Sequence, residues 1–210
     1  MILKIDHITF THLKNKGLKA LNPEGYNLVF HEKTLPNTTC KMDLLEFNQS
    51  DHGIIFLKKE DCISIEITEY DFIGEGHYYT ASRDFRVLKY SVDDLETASL
   101  FWNCFGFKLI EGSETRLILC YKSIIDNSML TLEIKKDECS KRSYLDSEGF
   151  CCIAFITSSI EKEVKKLRGK GYPVSEKSEL VVNGQLMEMA FVCSPSGEIV
   201  ELIEIRRNPK

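Results

Sequence analysis

Three glutamates stand in the middle of apolar, strand-like runs: Glu66 in CISIEITEY (62–70), Glu133 in SMLTLEIKK (128–136) and Glu201 in GEIVELIEI (197–205). They are 67 and 68 residues apart. A buried carboxylate without a partner is costly, so each needs a cation, a metal ion or a raised pKa if it lies inside the protein. Strand alternation sorts them. Glu66 shares a face with Ser64, Thr68 and Tyr70, and Glu133 with Met129, Thr131 and Lys135, so both face a cleft or solvent. Glu201 shares its face with Ile199, Ile203 and Ile205 while Val200 and Leu202 occupy the other. Both faces read as buried, which makes Glu201 a ligand, a cleft acid, or half of an ion pair with Arg116 or Lys89.

The near-equal spacing points to an internal repeat. In the second unit DFRVLKYSV (84–92) has strand chemistry. It is followed by a helix over 93–107 with an aspartate cap, an apolar stripe of Leu95, Ala98, Leu100, Phe101 and Cys104, and Gly106 as its stop. FKLIEG, RLILCYK and SMLTLEIKK are then three strands, giving β-α-β-β-β. The third unit repeats that order, with GFCCIAFIT (149–157), an amphipathic helix over 158–171, and YPVSE, MEMAFVCS and GEIVELIEI. The first unit is less regular, with a strand at 2–10, a short helix at 12–21, and YNLVFHE, GIIFLKK and CISIEITEY as strands. A polar excursion separates the first two of these strands, and 74–83 and 137–149 read as linkers. The predicted organisation is α+β, with modules at 1–73, 84–136 and 149–207.

Bulk properties narrow the function. Of 210 residues 43% are hydrophobic and 28% charged, and the net charge is -5 with basic residues dispersed. That argues against a nucleic-acid surface. No apolar run reaches the ~18 residues of a membrane span, and the N-terminal run has no signal-peptide pattern, so a cytoplasmic protein is expected. The eight cysteines contain no C-x-x-C pair and read as reduced thiols. Cys152 beside Cys151 is read as packing rather than as a nucleophile. His7 shares a strand face with Leu3, Ile5 and Thr9 and reads as a hydrogen-bonded core or cleft histidine. His77, beside Tyr78 and Tyr79, could line a cleft.

Three stretches, CIAFITSSIEKEVKKLRGKGYPV (152–174), SPSGEIVELIE (194–204) and VDDLETASLFWNCFGFKLI (92–110), resemble the vicinal oxygen chelate superfamily of glyoxalases, bleomycin-resistance proteins and extradiol dioxygenases. The resemblance implies βαβββ modules paired into a half-open barrel around a cleft. It implies metal ligands on the first and last strands of paired modules: His7, Val87 and Cys152 at the first-strand positions and Glu66, Glu133 and Glu201 at the last. Only His7 matches the usual histidine. The expected metal set is His7, Glu66 and Glu201, with Glu201 and Glu133 as catalytic carboxylates and Zn, Ni, Mn or Fe as the cofactor. The function so implied is a small-molecule lyase, isomerase or dioxygenase. The alternative is a metal-free ligand-binding or resistance-type protein. The regularity of the second and third units favours their pairing as one domain over 84–207. A homodimer through two copies of the first unit would then satisfy the odd module.

Overall fold

The computed structural model describes residues 1–206 except 17, 19, 20, 22, 77, 78, 83, 84, 124 and 138–143. The first module contributes β1 (Ile2–Leu13), β2 (Asn27–Pro36), a single helical turn α1 (Thr39–Met42), β3 (Asp51–Lys58) and β4 (Ser64–Tyr70). The second contributes β5 (Thr80–Ala81), β6 (Val87–Val92), α2 (Leu95–Cys104), β7 (Lys108–Gly112), β8 (Arg116–Lys122) and β9 (Met129–Lys136). The third contributes β10 (Gly149–Thr157), α3 (Ile160–Arg168), β11 (Ser178–Val182), β12 (Gln185–Cys193) and β13 (Ile199–Ile205). The architecture is α+β and built mostly from strands.

The sheet order corrects the expected pairing. An 8-stranded, curled and nearly closed sheet runs β11-β12-β13-β10-β1-β4-β3-β2, so the first module joins the third. The second module forms its own 5-stranded sheet, β5-β6-β9-β8-β7. Strand chemistry explains the choice. In β10 the run Cys151 to Phe155 is buried throughout, and in β1 residues 7–12 are buried; strands buried on both faces belong in the middle of a sheet. In β6 the buried residues alternate with the exposed Lys89, a strand that covers one core face only. Regular module spacing carried no information about which module supplies the partner strand.

One core links the modules. Ile8 and Ile65, Phe101 and Trp102, and Phe155 and Leu202 all belong to it, and the Phe105 ring stacks on Phe155 at 5.4 Å. Asp94 caps α2 by accepting from the N–H groups of Glu96 and Thr97, as expected for an N-terminal aspartate. Trp102 rather than Leu100 completes the buried stripe, since Leu100 is 57% exposed. Ser159 caps α3 in the same way.

Two local expectations need correction. β1 continues through Leu13, so the start of the expected helix at 12–21 is strand and turn, and part of the remainder lies outside the described residues. YPVSE makes one bridge, Val174 to Val192, and Ser178–Val182 takes the strand position instead. It pairs with β12 across Asn183-Gly184, whose φ values of 48° and 75° are those of a two-residue hairpin turn.

The segments read as excursion and linker are clamped together. The fully buried Asp146 carboxylate accepts from the N–H groups of Glu46 at 2.7 Å and Phe47 at 2.9 Å, and from Gln49 Nε2 at 3.3 Å. Leu145 N–H donates to Leu44. α1 is thereby fixed over the third module, where Cys40 N–H donates to Ser178 Oγ.

Candidate metal centre

His7 on β1, Glu66 on β4 and Glu201 on β13 converge inside the 8-stranded sheet. Glu66 lies opposite Thr9, while Glu201 lies opposite Ala154, itself opposite His7. The side chains thus bridge neighbouring strands spaced roughly 4.8 Å apart. All three residues are buried, and one ligand atom from each lies within 4.8 Å of the others. His7 Nε2 is 3.6 Å from Glu66 Oε2 and 3.8 Å from Glu201 Oε2. These separations are too long for hydrogen bonds, and Nε2 is buried without a hydrogen-bond partner among the described residues.

A bulge prepares the histidine. Ile5 pairs with Phe155 and His7 with Ala154, leaving Asp6 as the extra residue of β1. Asp6 Oδ2 reaches His7 Nδ1 at 3.0 Å although the two are neighbours in a strand. A proton held on Nδ1 leaves Nε2 to face the two glutamates, the orientation of a metal-bound histidine with its outer carboxylate. Glu66 is held by the hydroxyls of Thr9 at 3.4 Å and Thr68 at 3.3 Å, both donating to Oε1.

The cluster has unusual electrostatics. Burial opposes protonation of His7, but Glu66, Asp6 and Glu201 outweigh it and raise its pKa to about 9. Burial, reinforced by Glu66 and opposed by Lys41 and His7, raises Glu201 to about 7. The donor set and the unpartnered Nε2 fit a divalent cation, with three protein ligands and open positions for a substrate.

The remaining sequence candidates fall elsewhere. Glu133 lies on β9 of the separate sheet, where Lys89 Nζ at 2.6 Å and Arg116 Nη1 at 3.7 Å neutralise it. These are the two cations considered as partners for Glu201. Glu133 is therefore not brought to the cluster as a second catalytic carboxylate. Glu133→Gln is expected to change unfolding free energy by about 1 kcal/mol or less in urea titrations, because the carboxylate is half-buried but both its cations are open to solvent. Val87 lies on the same separate sheet. Cys152 holds the position in the third module that His7 holds in the first: it precedes the strand partner of Glu201 by two residues, as His7 precedes that of Glu66. Its thiol packs in the core beside Phe191 and Ile199, and Cys151 together with burial drives its pKa well up. His77 and Tyr78 lie outside the described residues.

A cavity of about 240 Å3 opens onto the cluster, walled by apolar side chains that include Phe30, Phe56 and Ile203. Phe56 stands edge-on to His7 at 5.4 Å and stacks on Phe30 at 5.2 Å. Lys41, from α1, also lines it. Sequence reading missed Asp6, because adjacent strand residues ordinarily face opposite ways, and missed Lys41, because nothing in the excursion marks its position.

No protein-family profile and no curated protein matches the chain. Solved structures do. Glyoxalase I from Zea mays is similar at a TM-score of 0.59 and 14% identity, over 96% of this chain and 92% of that one. A putative dioxygenase from Bacillus subtilis is similar at 0.42 and 12%, over 99% of this chain and 64% of that one. A bleomycin resistance determinant encoded on the transposon Tn5 gives 0.39 and 15%, over 56% and 94%. The chain has the vicinal oxygen chelate fold.

Proposed function

We propose that this protein is a divalent-metal-dependent, glyoxalase-like enzyme acting on a small molecule in the apolar cleft, with His7, Glu66 and Glu201 as the metal ligands. The observation that carries the reading is the buried, unpartnered His7 Nε2 between two carboxylates, oriented by Asp6. A bound divalent cation would supply Lewis-acid polarisation of adjacent substrate oxygens, the chemistry shared by lyase, isomerase and dioxygenase readings. The protein's own residues divide the other tasks. Asp6 fixes the His7 tautomer. Thr9 and Thr68 hold the Glu66 carboxylate in place through its Oε1. Glu201 has no hydroxyl or N–H donor among the described residues, and burial raises its pKa to about 7 in the metal-free protein, so its carboxylate is left to a bound cation, which would favour its ionised form. The apolar walls exclude water from the reacting atoms.

Elemental analysis of untagged protein tests this. Near-stoichiometric Zn, Ni, Mn or Fe is expected in the wild type and its loss in His7→Ala. Assays of 2-oxoaldehydes, catechols and acyl-CoA thioesters would follow. Absence of metal from the wild type after addition of all four ions would sink the reading. It would favour the metal-free binder, which draws support from Cys152 standing where a fourth ligand would be. A cytoplasmic setting accords with the free thiols of the described cysteines. A homodimer would form through the second module, whose sheet pairs with no strand of the other two modules among the described residues, rather than through the first.

A further inference from the structure

We propose that Lys41 is the anion-binding residue of the cleft and that the ligand is a carboxylate on an apolar body, an inference that rests on the cleft being a small-molecule site. Lys41 lines the same cavity as His7, Glu66 and Glu201, yet its residue is only 6% exposed. An ammonium so far removed from water needs compensation by an acceptor or a counter-charge. Among the described residues no carboxylate lies within 4.0 Å of its Nζ.

Its hydrogen-bond partner is His52, whose Nε2 lies 3.2 Å from Nζ. His52 is fully buried, and burial together with the charge of Lys41 holds its pKa well below the ordinary value. A neutral His52 accepts at Nε2 and is itself steadied by stacking on Tyr70 at 5.7 Å. One of three ammonium N–H groups is thereby used, and no other acceptor lies within reach among the described residues. The Phe191 ring beneath Nζ, at 5.9 Å, completes the seat without supplying a full charge.

Glu201 is the plainer counter-charge, since Lys41 is near enough to favour its ionised form. But the Glu66 and Glu201 carboxylates face His7 Nε2, at 3.6 and 3.8 Å, and neither comes within 4.0 Å of Nζ. Lys41 is thus a cation without an ion pair among the described residues, on the wall of an apolar cavity. A ligand with an aromatic or aliphatic body fits between Phe30, Phe56 and Ile203, and its carboxylate would meet the free ammonium N–H groups. α1 places this cation, and Cys40, its neighbour, is buried in the packing that anchors the turn.

The test is calorimetric titration of 4-phenylbutanoate and its uncharged amide into wild type, Lys41→Gln and Lys41→Arg, each treated with EDTA and each loaded with zinc. The carboxylate is expected to bind wild type roughly ten-fold or more tightly than the amide, the worth of a charged hydrogen bond. Lys41→Gln should abolish that preference while leaving the amide affinity unchanged, which reports an intact cleft. Lys41→Arg should keep most of it. A preference that survives in Lys41→Gln, an absence of preference in wild type, or binding of neither probe would overturn the proposal. Failure of zinc uptake with the preference intact would sink the metal reading alone.

Discussion

Zinc affinity is expected to fall roughly a thousandfold between pH 9 and pH 6. The cause is His7, which must lose a proton to ligate and whose pKa is about 9 in the metal-free protein. Each pH unit below that value costs about ten-fold in apparent affinity when one proton is displaced. Glu201, at about 7, adds a further loss below neutrality. Calorimetry at pH 8 in buffers of different ionisation enthalpy should show about one proton released per zinc. Affinity independent of pH would exclude His7 as a ligand.

Stability of the metal-free protein should move the opposite way. The folded pKa of His7 lies above its ordinary value of 6.5, so its stabilisation is complete below 6.5 and is lost as pH rises through about 9. Glu201 is raised from 4.5 to about 7, so folding favours its protonated form and loses support as pH rises through that window. Both terms lower the melting temperature of EDTA-treated protein from about pH 5 to pH 9. His7→Gln should flatten the upper half of that profile.

Asp146→Ala is expected to cost about 3–5 kcal/mol, because it strips a charged acceptor from two backbone N–H groups and a glutamine amide. Asp146→Asn, which keeps one acceptor oxygen, should cost less than half of that. The consequence reaches the cleft: Asp146 pins the chain that follows α1, so Lys41 loses its fixed position. Urea denaturation gives the free energy, and a loss of the carboxylate preference would accompany it. A wild-type urea midpoint in Asp146→Ala would show that the clamp contributes nothing.

The local chemistry of this chain was legible without coordinates. The alternation in 62–70 put Glu66 on a cleft or solvent face and the doubly apolar run at 197–205 put Glu201 inside, because a strand's two faces follow from its period of two; the burial of Glu66 came from the tertiary structure. The aspartates at 93–94 and the serines at 158–159 announced helix starts, because a short polar side chain at that position satisfies free N–H groups, and the structure selects Asp94 and Ser159. The resemblance put His7, Glu66 and Glu201 at ligand positions, and the joining of the first and third modules brings their ligand atoms within reach of one another. Which modules share a sheet was decided by long-range pairing, where the continuous burial of β10 outweighed the regular spacing of the second and third units. That choice separated Glu133 from Glu201 and gave it Lys89 and Arg116 instead. Asp6 acquired its contact with His7 from a one-residue bulge against β10, and Lys41 entered the cleft because Asp146, about a hundred residues away in sequence, holds the turn that carries it. Each of these depends on contacts between distant segments, which no local pattern encodes.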